Sequence, residues 1–270
     1  MPELPEVETV KNTLKRLVLN EKIIDVKVFY PSMIEGVKLD YFIETIKNQT
    51  IRDIKRRGKW LLFELDNHYI VSHLRMEGKY FIHEFNEPLS KHEHVIFKLS
   101  NKELRYQDTR KFGRMYLIEK DKLEMSKPIN ELGLEPWDNN LTISYLKEKY
   151  KKKSIPIKTT LLDQSIITGI GNIYADEILY LSKLSPLVKT NEVSDKNLED
   201  IICYTRKVLE HAIELGGTTI RSYESSKGVH GLFQNELLVH NQNICPSCKA
   251  KISKIRVGGR GTYYCPNCQK

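Results

Sequence analysis

The last 26 residues of this 270-residue chain hold four cysteines in two pairs, Cys245-x2-Cys248 and Cys265-x2-Cys268, with sixteen residues between the pairs. Each pair sets two sulfurs on one side of a metal, and a hairpin that joins the pairs completes a tetrahedron, as in a four-thiolate zinc ribbon. Two disulfides are the competing use, but disulfides belong to oxidising compartments. No secretory signal is visible, because charges interrupt the first 25 residues before any apolar run forms. A metal held by four thiolates is coordinatively closed and therefore structural. So short a segment takes its folding free energy from the metal. The fifth cysteine, Cys203, lies in the apolar run LEDIICYTRKVL and reads as helix packing.

The other end of the chain opens PELPEVET after the initiator. Met1 is expected to be removed where a small residue follows it, and Pro2 then becomes a free secondary amine at the start of a helix. An α-amine has a pKa of about 7.7–8.0, so roughly a tenth or more is unprotonated at pH 7, against well under a thousandth of a lysine. Such an amine attacks an aldehyde-like carbon and forms an iminium directly, which acidifies the neighbouring carbon and opens an elimination route. Glu3 beside it and Glu6 one turn later are carboxylates in reach of proton-transfer work. The plainer use of the same residues is local, since proline suits the first helical turn and glutamate the positive helix end.

Those residues need elements to hold them. Val7, Val10, Leu14 and Leu17 recur at helical spacing, so 4–19 reads as an amphipathic helix. From Lys22 to about Glu119 follow short segments rich in Ile, Val, Tyr and Phe, among them KIIDVKVF, KWLLFELD, HYIVSHLRM and RMYLIEK, with DNH and SNK as turns. Seven or eight such strands predict a β-sandwich or flattened barrel. A polar, proline-containing stretch from Lys120 to about Asn140 reads as a boundary. Residues 141–215 turn helical and stop at Gly216-Gly217. Within them TGIGNIYADE sets Gly169 and Gly171 around Ile170 ahead of a helix whose backbone N–H groups suit a phosphate oxygen.

Charge points the same way. The chain has 43 Lys and Arg against 35 Asp and Glu, a net charge of +8, with 40% hydrophobic and 29% charged residues. This is a globular composition, and no apolar run approaches the roughly 18 residues of a membrane span. The cytoplasm is the default address. Residues 240–270 carry six Lys or Arg and no Asp or Glu, and KEKYKKKSIPIK (147–158) is a second basic segment. Basic charge concentrated in segments otherwise patterned to fold is the footprint of nucleic-acid binding, or else simply a solvated face.

The N-terminal PELPEVET, the GIGNIYADE turn and the terminal CPSC…CPNC ribbon, in this order, resemble the bacterial formamidopyrimidine-DNA glycosylase family over nearly the whole chain. The resemblance implies an α+β fold. An N-terminal helix and β-sandwich (1–130) precede a helix–two-turn–helix domain (131–222), and a lesion loop and one structural zinc in a ribbon finger follow (223–270). It implies a bifunctional glycosylase and abasic-site lyase acting on double-stranded DNA that carries an oxidised purine or an abasic site. By resemblance the protein is a cytoplasmic, nucleoid-associated monomer with no membrane partner.

By the same resemblance Pro2 is the nucleophile, Glu3 the acid and base, Glu6 a supporting carboxylate, and Lys59 in RRGKWLLFEL a hairpin-tip phosphate contact. In SHLRMEG, His73 holds backbone, Met76 wedges into the gap left by the extruded base, and Glu77 lines the base pocket. In DTRKFG, Arg110 bonds the orphaned cytosine and Phe112 stacks and kinks the duplex. Lys158 lies near the damaged base, Asn172 and Arg260 grip phosphates, and RSYESSKG closes over the base. Cys245, Cys248, Cys265 and Cys268 hold the zinc.

Two other readings remain open at this point. An endonuclease VIII-like enzyme for oxidised pyrimidines shares the nucleophile, but it typically has glycine where this chain has Leu4, and it lacks the 76, 110 and 112 set. A non-catalytic zinc-ribbon DNA-binding protein explains the charge and the cysteines but not the grouping of Pro2, Glu3 and Glu6.

Overall fold

A computed structural model describes residues 1–218 and 231–270. Among these, Met1–Pro2, Glu6–Asn130 and Gly231 form one compact unit, while Glu3–Pro5, Glu131–Thr218 and Leu232–Lys270 form a second. The RSYESSKG loop lies outside the described residues. No described helix is long and apolar enough to cross a membrane.

The first unit holds most of helix α1 (Leu4–Val18), strands β1 (Asp25–Val28) and β2 (Ile34–Glu35), helix α2 (Leu39–Ile46), and strands β3 (Asp53–Arg57), β4 (Trp60–Glu64), β5 (His68–His73), β6 (Lys79–His83), β7 (Glu93–Lys98), β8 (Glu103–Gln107) and β9 (Arg114–Glu119). They make a four-stranded sheet, β1-β7-β8-β6, and a five-stranded sheet, β2-β9-β5-β4-β3. All pairs are antiparallel except β2 with β9. Val26, Val95, Phe97, Leu104 and Tyr106 from one sheet join Ile54, Leu61, Phe63, Ile70 and Met115 from the other in a single buried cluster. Each such side chain contributes about 1.5–3 kcal/mol when fully buried.

Helix α1 adds Val7, Val10, Leu14 and Val18 to that core. Val18, not Leu17, completes the stripe, and Leu17 is exposed. Steps of three, four and four stay within one helical face, where a step from Leu14 to Leu17 drifts off it. Helix α2 and strand β8 are additional to the segments expected from sequence. In β8, Leu104 and Tyr106 face the core, while Arg105, 1% exposed, is held by Glu93, Glu103 and the carbonyls of Glu87 and Pro88.

The second unit comprises α3 (Ile143–Tyr150), α4 (Ile157–Leu161), α5 (Asn172–Leu181), α6 (Asp195–Glu214) and the hairpin β10 (Ser253–Val257) and β11 (Arg260–Tyr264). Thr142 and Ser194 cap α3 and α6 through their hydroxyls. Helix α6 stops where Gly216 and Gly217 take φ of +74° and +78°, and Gly217 N–H returns to Ala212 O at 2.7 Å. Helix α5 runs through the middle with Tyr174 to Tyr180 all buried, two of them carboxylates, Asp176 and Glu177. Buried charge of this kind requires partners.

Candidate active site and nucleic-acid interface

The first residues of the chain are built onto the α5 turn. Leu4 N–H donates to Gly169 O at 3.1 Å, and the Glu3 carboxylate accepts from Ile173 N–H at 2.9 Å and Tyr174 N–H at 3.4 Å. Glu3 therefore answers the positive end of α5. The N–H groups read from sequence as a phosphate seat are the ones that hold this carboxylate. Both glycines of the turn are required by contact. A Cβ at Gly171 would stand 2.2 Å from Glu3 Cδ, and one at Gly169, where φ is +98°, would stand 2.4 Å from Leu4 Cδ1.

One turn along α5, Asp176 is the hub of a closed network. Its Oδ1 takes the Lys158 ammonium at 2.5 Å, and its Oδ2 takes His240 Nδ1 at 2.7 Å and Tyr263 N–H at 3.2 Å. Lys158 and Asp176 have no side-chain exposure. Burial lowers the Lys158 pKa from the usual lysine value, against the pull of Asp176 and then Glu3. Lys158 thus stands apart from the exposed lysines that precede it in sequence. Of those, Lys147, Lys151 and Lys153 pair with Asp195, Glu148 and Asp163. Glu177 accepts N–H bonds from Leu238, Val239 and His240 at 2.8, 3.1 and 2.8 Å. Burial pushes its carboxyl above the usual range while those bonds pull it back.

The same helix positions the hairpin. Gly261 O accepts from Asn172 Nδ2 at 3.0 Å and from Lys158 Nζ at 3.3 Å. The hairpin tip is Gly258-Gly259, at φ of +54° and +78°, and a Cβ at Gly258 would stand 2.6 Å from Thr159 Oγ1. Arg260 is therefore the first residue of β11, exposed, paired across from Val257 and next to the anchored carbonyl.

Below the hairpin the four cysteine sulfurs lie within 4.8 Å of one another. Cys245–Cys268 and Cys248–Cys265 separations are 3.8 and 3.5 Å. A tetrahedron with Zn–S of about 2.3 Å has an edge of about 3.8 Å, so the donor set and its spacing fit one zinc ion. Tyr180 OH lies 3.3 Å from Cys245 Sγ and 2.7 Å from Ser247 Oγ, which ties α5 to the first knuckle.

The first unit carries the other candidate residues. Glu6 is buried in the first turn of α1. Lys59 follows Gly58, at φ of +56°, at the β3–β4 tip, and is buried rather than held out into solvent. Arg56 braces this tip, donating Nε–H to Glu8 at 2.8 Å and an Nη1 N–H to Gly58 O at 3.0 Å. His73, at the end of β5, packs edge-on against Trp60 with centroids 4.5 Å apart. Its Nδ1 accepts Arg75 N–H at 2.9 Å, which leaves the proton on Nε2. Burial, with Arg75 and Lys59 nearby, lowers its pKa to about 3, so it is neutral at pH 7.

Met76 and Glu77 are exposed on the turn after Arg75, whose φ is +53°. Arg110 and Phe112 are exposed on a second turn, the guanidinium 4.8 Å from the ring centroid. Buried Asp108 shapes that turn by accepting N–H bonds from Arg110, Phe112 and Gly113 at 2.8–2.9 Å. Sequence reasoning missed Arg56, Asp108, Asp176, Glu177 and His240. YADE in the quoted motif held two of them in view, as carboxylates on a helix too apolar to be a surface one.

The comparisons agree along the chain. Residues 1–115 match the profile of the formamidopyrimidine-DNA glycosylase N-terminal domain, 132–224 that of its H2TH domain, and 245–270 a zinc finger found in FPG and IleRS. The chain is 46% identical to a formamidopyrimidine-DNA glycosylase of Oceanobacillus iheyensis over 100% of this chain and 98% of that one. It is 44% identical to that of Bacillus subtilis over 100% and 99%. Among solved structures, a Lactococcus lactis FPG variant in complex with a Fapy-dG containing DNA superposes with a TM-score of 0.94 at 39% identity over all of both chains. The same protein with an abasic site containing DNA gives 0.93 at 39% over 99% of each chain. With three profiles in chain order and relatives matched from end to end, the chain belongs to the formamidopyrimidine-DNA glycosylase family.

Proposed function

We propose that this chain is a bifunctional DNA glycosylase and abasic-site lyase that excises oxidised purines, 8-oxoguanine and formamidopyrimidines, from double-stranded DNA. The observation that carries this reading is the fixing of Glu3, the residue after Pro2, by two backbone N–H groups of α5. Fixing Glu3 supports a preorganised acid and base next to the nucleophile. With Met1 removed, the Pro2 amine attacks C1′ of the damaged nucleotide, the base departs and an iminium forms. Elimination of the 3′ and then the 5′ phosphate follows, leaving a one-nucleotide gap with phosphates at both ends.

In this reading Glu3 moves protons at the opened sugar and Glu6 supports it. Lys59, His73, Asn172 and Arg260 contact phosphates, and the neutral His73 does so as an Nε2–H donor. Extruding the base costs a few kcal/mol, offset by inserting Met76, Arg110 and Phe112 into the space it leaves. Glu77 lies at the pocket edge. For Lys158 we infer an indirect role, through the Gly261 carbonyl, in place of a contact with the base. The zinc is structural. The bacterial relatives support work at the chromosome in the cytoplasm.

The test uses a duplex with 8-oxoguanine opposite cytosine, borohydride added during turnover, and the adduct mapped by mass. An adduct on Pro2 is expected. An adduct elsewhere overturns the mechanism, as does none from chains verified to begin at Pro2 and to bind the duplex.

A further inference from the structure

One buried hydroxyl stands between the two exposed turns of the first unit. A Cβ at Gly78 would meet Tyr106 Oη at 2.2 Å, and a Cβ at Gly113 would meet it at 1.7 Å. Gly78 closes the turn of Met76 and Glu77, its N–H bonded to Leu74 O at 2.9 Å. Gly113 closes the turn of Arg110 and Phe112, its N–H bonded to Asp108 at 2.8 Å. Neither glycine has the positive φ that demands glycine elsewhere in the chain. At Gly113 room for the tyrosine alone excludes a side chain, and at Gly78 the tyrosine does so together with Leu74 O, 2.5 Å from a Cβ there.

The hydroxyl itself is held from behind. Tyr106 is 1% exposed and pairs with Tyr80 across β6 and β8. Their rings meet edge-on with centroids 5.0 Å apart. Tyr80 packs on Phe63 at 5.3 Å and donates its O–H to Ser72 Oγ at 2.7 Å, both residues of the facing sheet. A stack anchored in two sheets is a rigid mount, because close-packed interiors do not deform continuously.

We propose that Tyr106 is a positioning residue that sets the spacing of the two turns, so that Met76 and the Arg110–Phe112 pair enter DNA as one unit. This rests on the void-filling reading above. A wedge without its partner leaves the orphaned base unpaired, and a partner without its wedge leaves the stack closed, so the separation of the two is itself a determinant of base extrusion.

The test is a double-mutant cycle. The three atoms nearest the Cβ of a Gly113→Ala variant all belong to Tyr106. That variant should therefore lower single-turnover excision of 8-oxoguanine from duplex DNA about 10²-fold, the effect of a misplacement of about 1 Å. Its cleavage of a single-stranded abasic oligonucleotide, which has no stack to open, should be unchanged. Adding Tyr106→Leu should restore most of the duplex activity, a coupling that independent sites do not show. No restoration, or an equal fall in both activities, overturns the proposal. If Gly113→Ala does not fold, Tyr106→Phe carries the test alone, with slowed base extrusion reported by 2-aminopurine beside the lesion. Normal extrusion in that variant is likewise fatal. Met76→Ala separates the two layers: unchanged excision in that variant removes the void-filling reading and this proposal with it.

Discussion

Glu3 lies so close to Gly171 that no methyl group fits between them: a Cβ on the glycine would be 2.2 Å from the carboxylate carbon and 2.6 Å from its Oε1. Residues 168 positions apart are thus fitted to each other at the point where α5 begins. Gly171→Ala should displace Glu3 from the Ile173 and Tyr174 N–H groups and lower excision and strand cleavage together, by about 10²-fold. Single-turnover rates on 8-oxoguanine and abasic duplexes check this, with circular dichroism to confirm folding. Unchanged rates would show that Glu3 acts without that seat.

The Lys158–Asp176 pair makes a prediction about stability. Removing one partner of a buried pair strands the other charge, at a cost of about 3–5 kcal/mol, whereas replacing both with apolar residues is often neutral. Lys158→Met and Asp176→Leu should each be strongly destabilising and the double variant much less so, as read by urea unfolding. His240 and Tyr263 N–H, which also bond Asp176, set how complete that recovery is. Additive losses would exclude a coupled pair.

His73 links stability to pH. Its pKa falls to about 3 in the fold, below the ordinary value of about 6.5. The unfolded chain therefore binds the extra proton first, and the contribution of neutral His73 is full above pH 6.5 and is lost as pH falls toward 3. The slope is at most roughly 1.4 kcal/mol per pH unit. His73→Gln should flatten unfolding free energy against pH between 6 and 4. An unchanged slope would assign the acid sensitivity to other groups.

Zinc removal should act on DNA binding before chemistry. The hairpin that carries Arg260 is anchored by Asn172 and Lys158 on one side and by the thiolate cluster on the other. A chelator should release one zinc per chain and abolish tight binding to lesion duplex, while Arg260→Ala with zinc retained should only make the salt dependence shallower by about one unit. Tight binding by metal-free protein would detach the finger from recognition.

How much of this was legible in the sequence depends on whether the signal was local. The cysteine spacing, the glycine turn and the strand texture of KWLLFELD are local patterns, and the structure builds on each. Strand β8 was hidden because Arg105 reads as surface until Glu93, twelve residues away, is seen to neutralise it. Helix α2 had a helical pattern, Leu39, Phe42, Ile43 and Ile46, masked by the β-forming residues around it. Lys158 is set in a basic segment and, by the resemblance, near the damaged base; its buried pairing was not legible, since nothing in a lysine-rich stretch marks the member whose partner lies on another helix. Tyr106 carries no signal at all, because its effect is exerted through the absence of side chains at Gly78 and Gly113.

Leu4 belongs to the core of the second unit and Val7 to that of the first. The second unit is therefore discontinuous in sequence, completed by three residues from the other end of the chain, Glu3–Pro5. A fragment cut at the apparent boundary near Glu131 would leave its core without Leu4 and the α5 terminus without a counter-charge. Dissecting this protein into halves therefore calls for complementation of the second unit by a short N-terminal peptide that carries Glu3 and Leu4.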